Sequence, residues 1–69
     1  MPGTYKVITV VGTSSEGISE AIQAGIGEAS RTLKGLAWFE VKDIRGRIED
    51  GKVAEYQATI DIGFKVIHE

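Results

Sequence analysis

A chain of 69 residues is expected to fold as one domain, 1–69, with only a modest core. The absence of cysteine excludes disulfides and thiolate zinc sites, and a net charge of −2 does not suggest a general nucleic-acid binder. With 42% apolar and 26% charged residues the balance is that of an ordinary soluble protein. No apolar run approaches the roughly 20 residues of a membrane span. The stretch 1-MPGTYKVITVVG-12 lacks a signal-peptide pattern, so a cytoplasmic chain is expected. A core this small needs reinforcement, and with neither disulfide nor metal cluster in view, the expected routes are self-association or a very efficient core.

The first element, 5-YKVITVV-11, is rich in β-branched residues between Gly3 and Gly12. It is apolar on both faces, which predicts a strand that is either central or covered on its second face from outside the chain. Thr13 and Glu16 have capping-box spacing ahead of a helix. The glycine-flanked turn 12-GTSSEG-17 matches no phosphate-binding fingerprint, and capping is the preferred reading. Apolar or small residues then recur at Ile18, Ala21, Ile22, Gly25, Ile26, Ala29 and Leu33, one face of an α-helix. Gly25 falls on that face and lets the helix approach a sheet, whereas Gly27 has no such reason. Gly35 fits a left-handed helix stop, with Arg31 and Lys34 near the negative end of the helix dipole.

A second strand is predicted over 37-AWFEVKDIRG-46 and a third over 53-VAEYQATIDIGFKVI-67. Asp50-Gly51 between them is a hairpin signal. In the third strand every second residue from Ala54 to Val66 is apolar, which marks a core face. The order is β-α-β-β, an α+β domain. One helix can cover only one face of the sheet. Phe39 and Val41 join the covered face. Trp38, Glu40, Lys42, Gln57, Thr59 and Asp61, with Val53 at the start of the third strand, take the open one.

Trp38 on an uncovered face reads either as an interface anchor or as a stacking platform for a flat heteroaromatic ligand. Gln57, on the same face, offers the donor and acceptor that the polar edge of such a ring requires. Arg45, Arg47 and Lys65 form a candidate cationic group near the hairpin, suited to phosphate. Ser14, Ser15 and Ser19 have no histidine base placed by any motif, since the single histidine is His68. Glu40, Glu55 and Asp61 suggest salt bridges with Lys42, Lys65 or an arginine of another subunit. No reaction centre emerges, so no enzymatic activity is expected.

The segments 10-VVGTSSEGISEAIQ-23, 38-WFEVKDIRG-46 and 55-EYQATIDIGFKV-66, in this order and at this length, resemble the dodecin family of small flavin-binding proteins. The resemblance implies a three-stranded antiparallel sheet wrapped around one helix, and a homododecameric shell. It implies paired flavins stacked on Trp38, with the polar edge of each ring on Gln57 and with Ala37 beside the site. Arg45, with Lys65 as a further candidate, would reach the phosphate of FMN, which favours FMN over riboflavin; FAD belongs to the same class of ligand. Storage, buffering and photoprotection of flavin are the implied roles. Coenzyme A is a further implied ligand, with Lys6, Arg31 and Lys34 as candidate phosphate contacts and Glu28 opposing them. The competing reading is a structural or partner-binding oligomer without flavin. A third, a flavoenzyme, requires substrate access that a closely stacked pair would block.

Overall fold

The computed structural model describes residues 3–66. Four elements follow in chain order: β1 (Tyr5–Ser14), α1 (Ile18–Ser30), β2 (Leu36–Glu49) and β3 (Lys52–Lys65). The strands form one antiparallel sheet in the order β1-β3-β2. The strand with the strongest alternation, β3, is therefore the central one. Strand β1 lies at an edge, which overturns the central alternative for it; Val7 and Val11 stand more than half exposed on its second face. Ile67 and His68 lie outside the described residues.

Helix α1 packs on β1 and β3. Ala21, Ala29, Ala58, Ile60 and Ile62 are buried between them. Three of these five are alanines, so the core is thin, and full burial of each isoleucine contributes about 1.5–3 kcal/mol. Close approach of helix to sheet replaces bulk. A Cβ on Gly12 would overlap the backbone carbonyl of Ala21, and one on Gly25 would press on Val10, the backbone of Gly12 and Ile60. The two glycines let the backbones of β1 and α1 meet, as the position of Gly25 on the apolar face predicts. A Cβ on Gly27 would meet nothing within 4 Å. Gly12→Ala is thus expected to destabilise the fold by about 1–3 kcal/mol or more through overpacking. Gly27→Ala is expected to stabilise it by about 1 kcal/mol through helix propensity. Urea unfolding of the two variants beside the parent checks both signs.

The helix begins later than its capping signal suggests. Thr13 is still extended, paired with Gln57 in the sheet, so the expected capping box with Glu16 does not form. Gly17 occupies the N-cap, its carbonyl accepting from the Ala21 amide at 3.0 Å, while Ser14 Oγ accepts from the Glu16 amide at 2.9 Å. The expected stop at Gly35 also moves, because the helix ends at Ser30 with Arg31 as its cap. Gly35 does hold a left-handed φ of 76°, but it serves the turn into β2, its carbonyl accepting from the Lys65 amide. The hairpin signal is realised: Asp50 and Gly51 both have positive φ, and Glu49 pairs with Lys52.

Strand β2 is the irregular one. Its register against β3 shifts between Leu36 and Trp38, between Val41 and Asp43, and between Arg47 and Ile48. A 14-residue strand is about 46 Å long whereas a 13-residue helix covers about 20 Å. The hairpin therefore runs past the helix and leaves Ile44, Ile48 and Val53 exposed. Val53 lines a shallow depression with Ile18, Ile44 and Tyr56, on the helix side, and not the open side that strict alternation predicts. The radius of gyration is 14.1 Å, against about 11 Å for a compact chain of this length.

Candidate functional site

The helix-free face is built in cross-strand rows. Phe39 pairs with Ile62 and Val41 with Ile60, which keeps both on the helix side as expected. Trp38 pairs with Gly63 and so takes the opposite face. Ala37 is the extra residue of the shift that precedes it, exposed at the start of β2. A methyl group placed on Gly63 would overlap three consecutive atoms of the indole six-membered ring, Cε2, Cζ2 and Cη2, at nearly equal distances, all under 3.0 Å. An approach in the ring plane would meet one atom first and leave its neighbours behind. Near-equal distances place the ring face-on over the Gly63 backbone. The indole thus lies flat on the sheet, with its outer face turned away from the chain and the residue 45% exposed.

Tyr5 closes one side of this platform. Its ring centroid is 5.1 Å from that of Trp38 at an interplanar angle of 54°, a tilted aromatic contact in the favourable range. Tyr5 pairs with Lys65, so a cation stands at the same end of the face. The next row holds Thr9, Asp61 and Glu40. Two carboxylates directly opposite one another repel. Thr9 Oγ1 donates to Asp61 at 2.7 Å, and Lys42 Nζ lies 4.0 Å from Glu40, which offsets part of that repulsion. Glu40 and Lys42 meet here within one chain.

Further along, Gln57 sits between Thr13 and Arg45. The shift at Lys42 makes this possible. Strict alternation from Trp38 would bring Ile44 to the open face; one extra residue brings Asp43, Arg45 and Arg47 there instead, opposite Thr59, Gln57 and Glu55. Gln57 Nε2 donates to Glu55 Oε1 at 3.0 Å, and Arg47 is tied to Glu49 at 2.6 Å. Arg45 is thus the cation set beside Gln57.

The structure divides the expected cationic group. Arg45 and Arg47 share the hairpin end, but Lys65 lies at the other end of β3, beside Tyr5, because eight residues of extended strand separate Gln57 from Lys65. Trp38 and Gln57 share a face without touching. Their β3 row positions, Gly63 and Gln57, are six residues apart, about 20 Å of strand. The face therefore carries two separate groups, an indole with Tyr5 and Lys65, and an amide with Arg45. Arg31 pairs with Glu28 at 3.4 Å just after the helix, away from both. Among the described residues no group of three acidic or histidine side chains is placed to hold a metal.

Two residues of the platform, Tyr5 and Gly63, escape a reading of the sequence alone. Gly63 carries a signal, since an isolated glycine in a strand marks a close approach. Tyr5 carries only its strand phase.

The Dodecin family model matches residues 4–67. A dodecin of Thermus thermophilus is 48% identical over 66 residues, 96% of each chain. The solved dodecin of Streptomyces coelicolor superposes with a TM-score of 0.92 at 45% identity, covering 96% of this chain and 94% of that one. That of Streptomyces davaonensis superposes with a TM-score of 0.91 at 48% identity, covering 94% and 96%. Strand order and the single helix agree with a match that spans almost every described residue, and the chain belongs to the dodecin family.

Proposed function

We propose that the protein binds flavin, FMN foremost, and stores and buffers it in a shell of its own copies without catalysing a reaction on it. The observation that carries this reading is the indole of Trp38, laid flat over Gly63 with its outer face open. A flat aromatic ligand stacks there with its plane parallel to the sheet. Offset stacking adds about 0.5–1.5 kcal/mol to area burial. An electron-rich indole in such contact quenches flavin emission, which is the photoprotective part of the role.

The separation of the two groups sets a condition on assembly. The 20 Å or so of strand between the Trp38 and Gln57 rows exceeds the length of an isoalloxazine ring. A ring stacked on one copy's Trp38 therefore takes its polar contacts from Gln57 of another copy. The exposed apolar strip on β2 and the elongated shape are consistent with burial against further copies, twelve in the shell expected from the family. Arg45 beside that amide supplies a bidentate contact for the phosphate of FMN. Lys65, at the indole end, is a second cation for the same group.

Titration of FMN with the purified protein tests the reading. Flavin fluorescence is expected to fall to a small residue with saturation at a fixed stoichiometry per chain. Unchanged emission at excess protein would remove the proposal. Arg45→Ala is expected to weaken FMN by about tenfold or more, as loss of a charge-assisted contact of roughly 1.5–3 kcal/mol implies. Riboflavin, which has no phosphate, should be affected less than threefold, and parallel titrations of the two ligands check the difference.

A further inference from the structure

The family reading assigns the stacking role to Trp38 but leaves open what holds the indole flat. We infer that Gly63 is the positioning residue of the platform, a vacancy in the side-chain layer of β3 into which the Trp38 ring is set, with Tyr5 as its lateral stop. The inference rests on the flavin reading for its consequence, though not for its geometry.

Glycine in the middle of a central strand weakens the strand and removes a side chain that would pack. Gly63 is not among the residues with positive φ, unlike Gly3, Gly35 and Gly51, so its backbone conformation is open to any L-residue. Helix contact does not explain it either, because its missing side chain points to the helix-free face. The three atoms nearest to a Cβ there are all of the indole, Cε2, Cζ2 and Cη2 of Trp38. Every neighbouring position of β3 on that face carries a side chain: Lys65 on one side, Asp61 on the other. A residue with a Cβ at position 63 would force the indole to tilt or swing outward. Its outer face would no longer lie parallel to the sheet, and the ring would lose its contact with Tyr5 at 5.1 Å. Preorganisation is the physical gain, since an indole already held in its ligand-bound attitude loses less freedom when the ligand arrives.

Gly63→Ala is the test, read first on the flavin-free protein. Trp38 is the single tryptophan, so its emission and near-ultraviolet circular dichroism report its setting directly. The variant is expected to show a changed near-ultraviolet signal, greater quenching of indole emission by iodide, and FMN affinity reduced about tenfold or more. In a Trp38→Ala background, Gly63→Ala should change FMN binding by less than twofold, because the methyl then has nothing to displace. Should Gly63→Ala fail to fold while Trp38→Ala/Gly63→Ala folds, removal of the ring has rescued the methyl, and the inference stands. If the single variant keeps the parent's indole spectra and FMN affinity, or if neither variant folds, it is overturned. A parent protein that binds no FMN would remove the storage reading alone, and the indole spectra would still decide the role of Gly63.

Discussion

Trp38→Ala is expected to lower FMN affinity by about 10²–10³-fold and to lose most of the quenching of flavin emission expected of the parent protein. The magnitude follows from two terms. Covering one face of an indole removes on the order of 100 Å² of apolar surface from water, worth about 2.5 kcal/mol. The stacking geometry adds about 0.5–1.5 kcal/mol, and each 1.4 kcal/mol is a factor of ten in affinity. Trp38→Phe keeps a smaller ring over Gly63 and should fall between parent and alanine variant in both readouts. Affinity by calorimetry and emission by titration check the two effects separately. Molecular mass in solution must be measured alongside, because it separates ligand platform from interface anchor. If Trp38 acts as an anchor, its loss dissociates the assembly, and weaker FMN binding follows only indirectly. On the reading developed above, Trp38→Ala retains the parent's mass and loses the ligand. Retained mass with FMN affinity within threefold of the parent would rule out the platform.

The architecture was readable wherever local pattern and tertiary role agree. The alternation of β3 marks a strand with one covered face because it is the central strand, with Ala58, Ile60 and Ile62 under the helix. Asp50-Gly51 marks a turn because both residues adopt the positive φ that such a hairpin requires. The open position of Trp38 follows from the same logic, since Phe39 and Val41 must take the helix side. What the pattern hides is the phase of β2 beyond Val41. Apolar residues stand at Phe39, Val41 and then Ile44, a step of three where a regular strand takes two. That step is the trace of the bulge at Lys42, and it moves Arg45 to the face of Gln57. The resemblance implies Arg45 as a phosphate contact; alternation alone puts it on the helix side of the sheet. Helix ends were misread for a related reason. Thr13 has the chemistry of a cap, but its backbone is held extended by pairing with Gln57, and tertiary pairing overrides a local hydrogen bond. The distance between Trp38 and Gln57 was hidden as well, because a shared face says nothing about position along it.

Ile44→Asp is expected to abolish self-association at micromolar concentration and to leave a chain that is largely unfolded. Ile44 is 55% exposed on the helix side, opposite Ala58 in the sheet and past the end of α1. With Ile48 and Val53 it forms an apolar strip that the chain itself leaves uncovered. With five buried apolar residues among those described, three of them alanines, the domain has little stability to spare, since small domains bury too little of their surface. In the proposed shell, burial of Ile44 between copies would contribute about 1.5–3 kcal/mol per chain. A carboxylate in its place would instead be buried without a partner, at a cost of several kcal/mol. The two effects add, and the closed symmetry of the proposed shell would repeat them in every copy. Light scattering reads the mass and circular dichroism reads the fold. Ser19→Asp, on the exposed outer surface of α1, introduces the same charge and should change neither. An Ile44→Asp protein with the parent's mass and a melting temperature within a few degrees of it would show that the strip faces solvent in the assembled state. The proposed shell would then have to be closed by other surfaces, such as the face that carries Val7 and Val11.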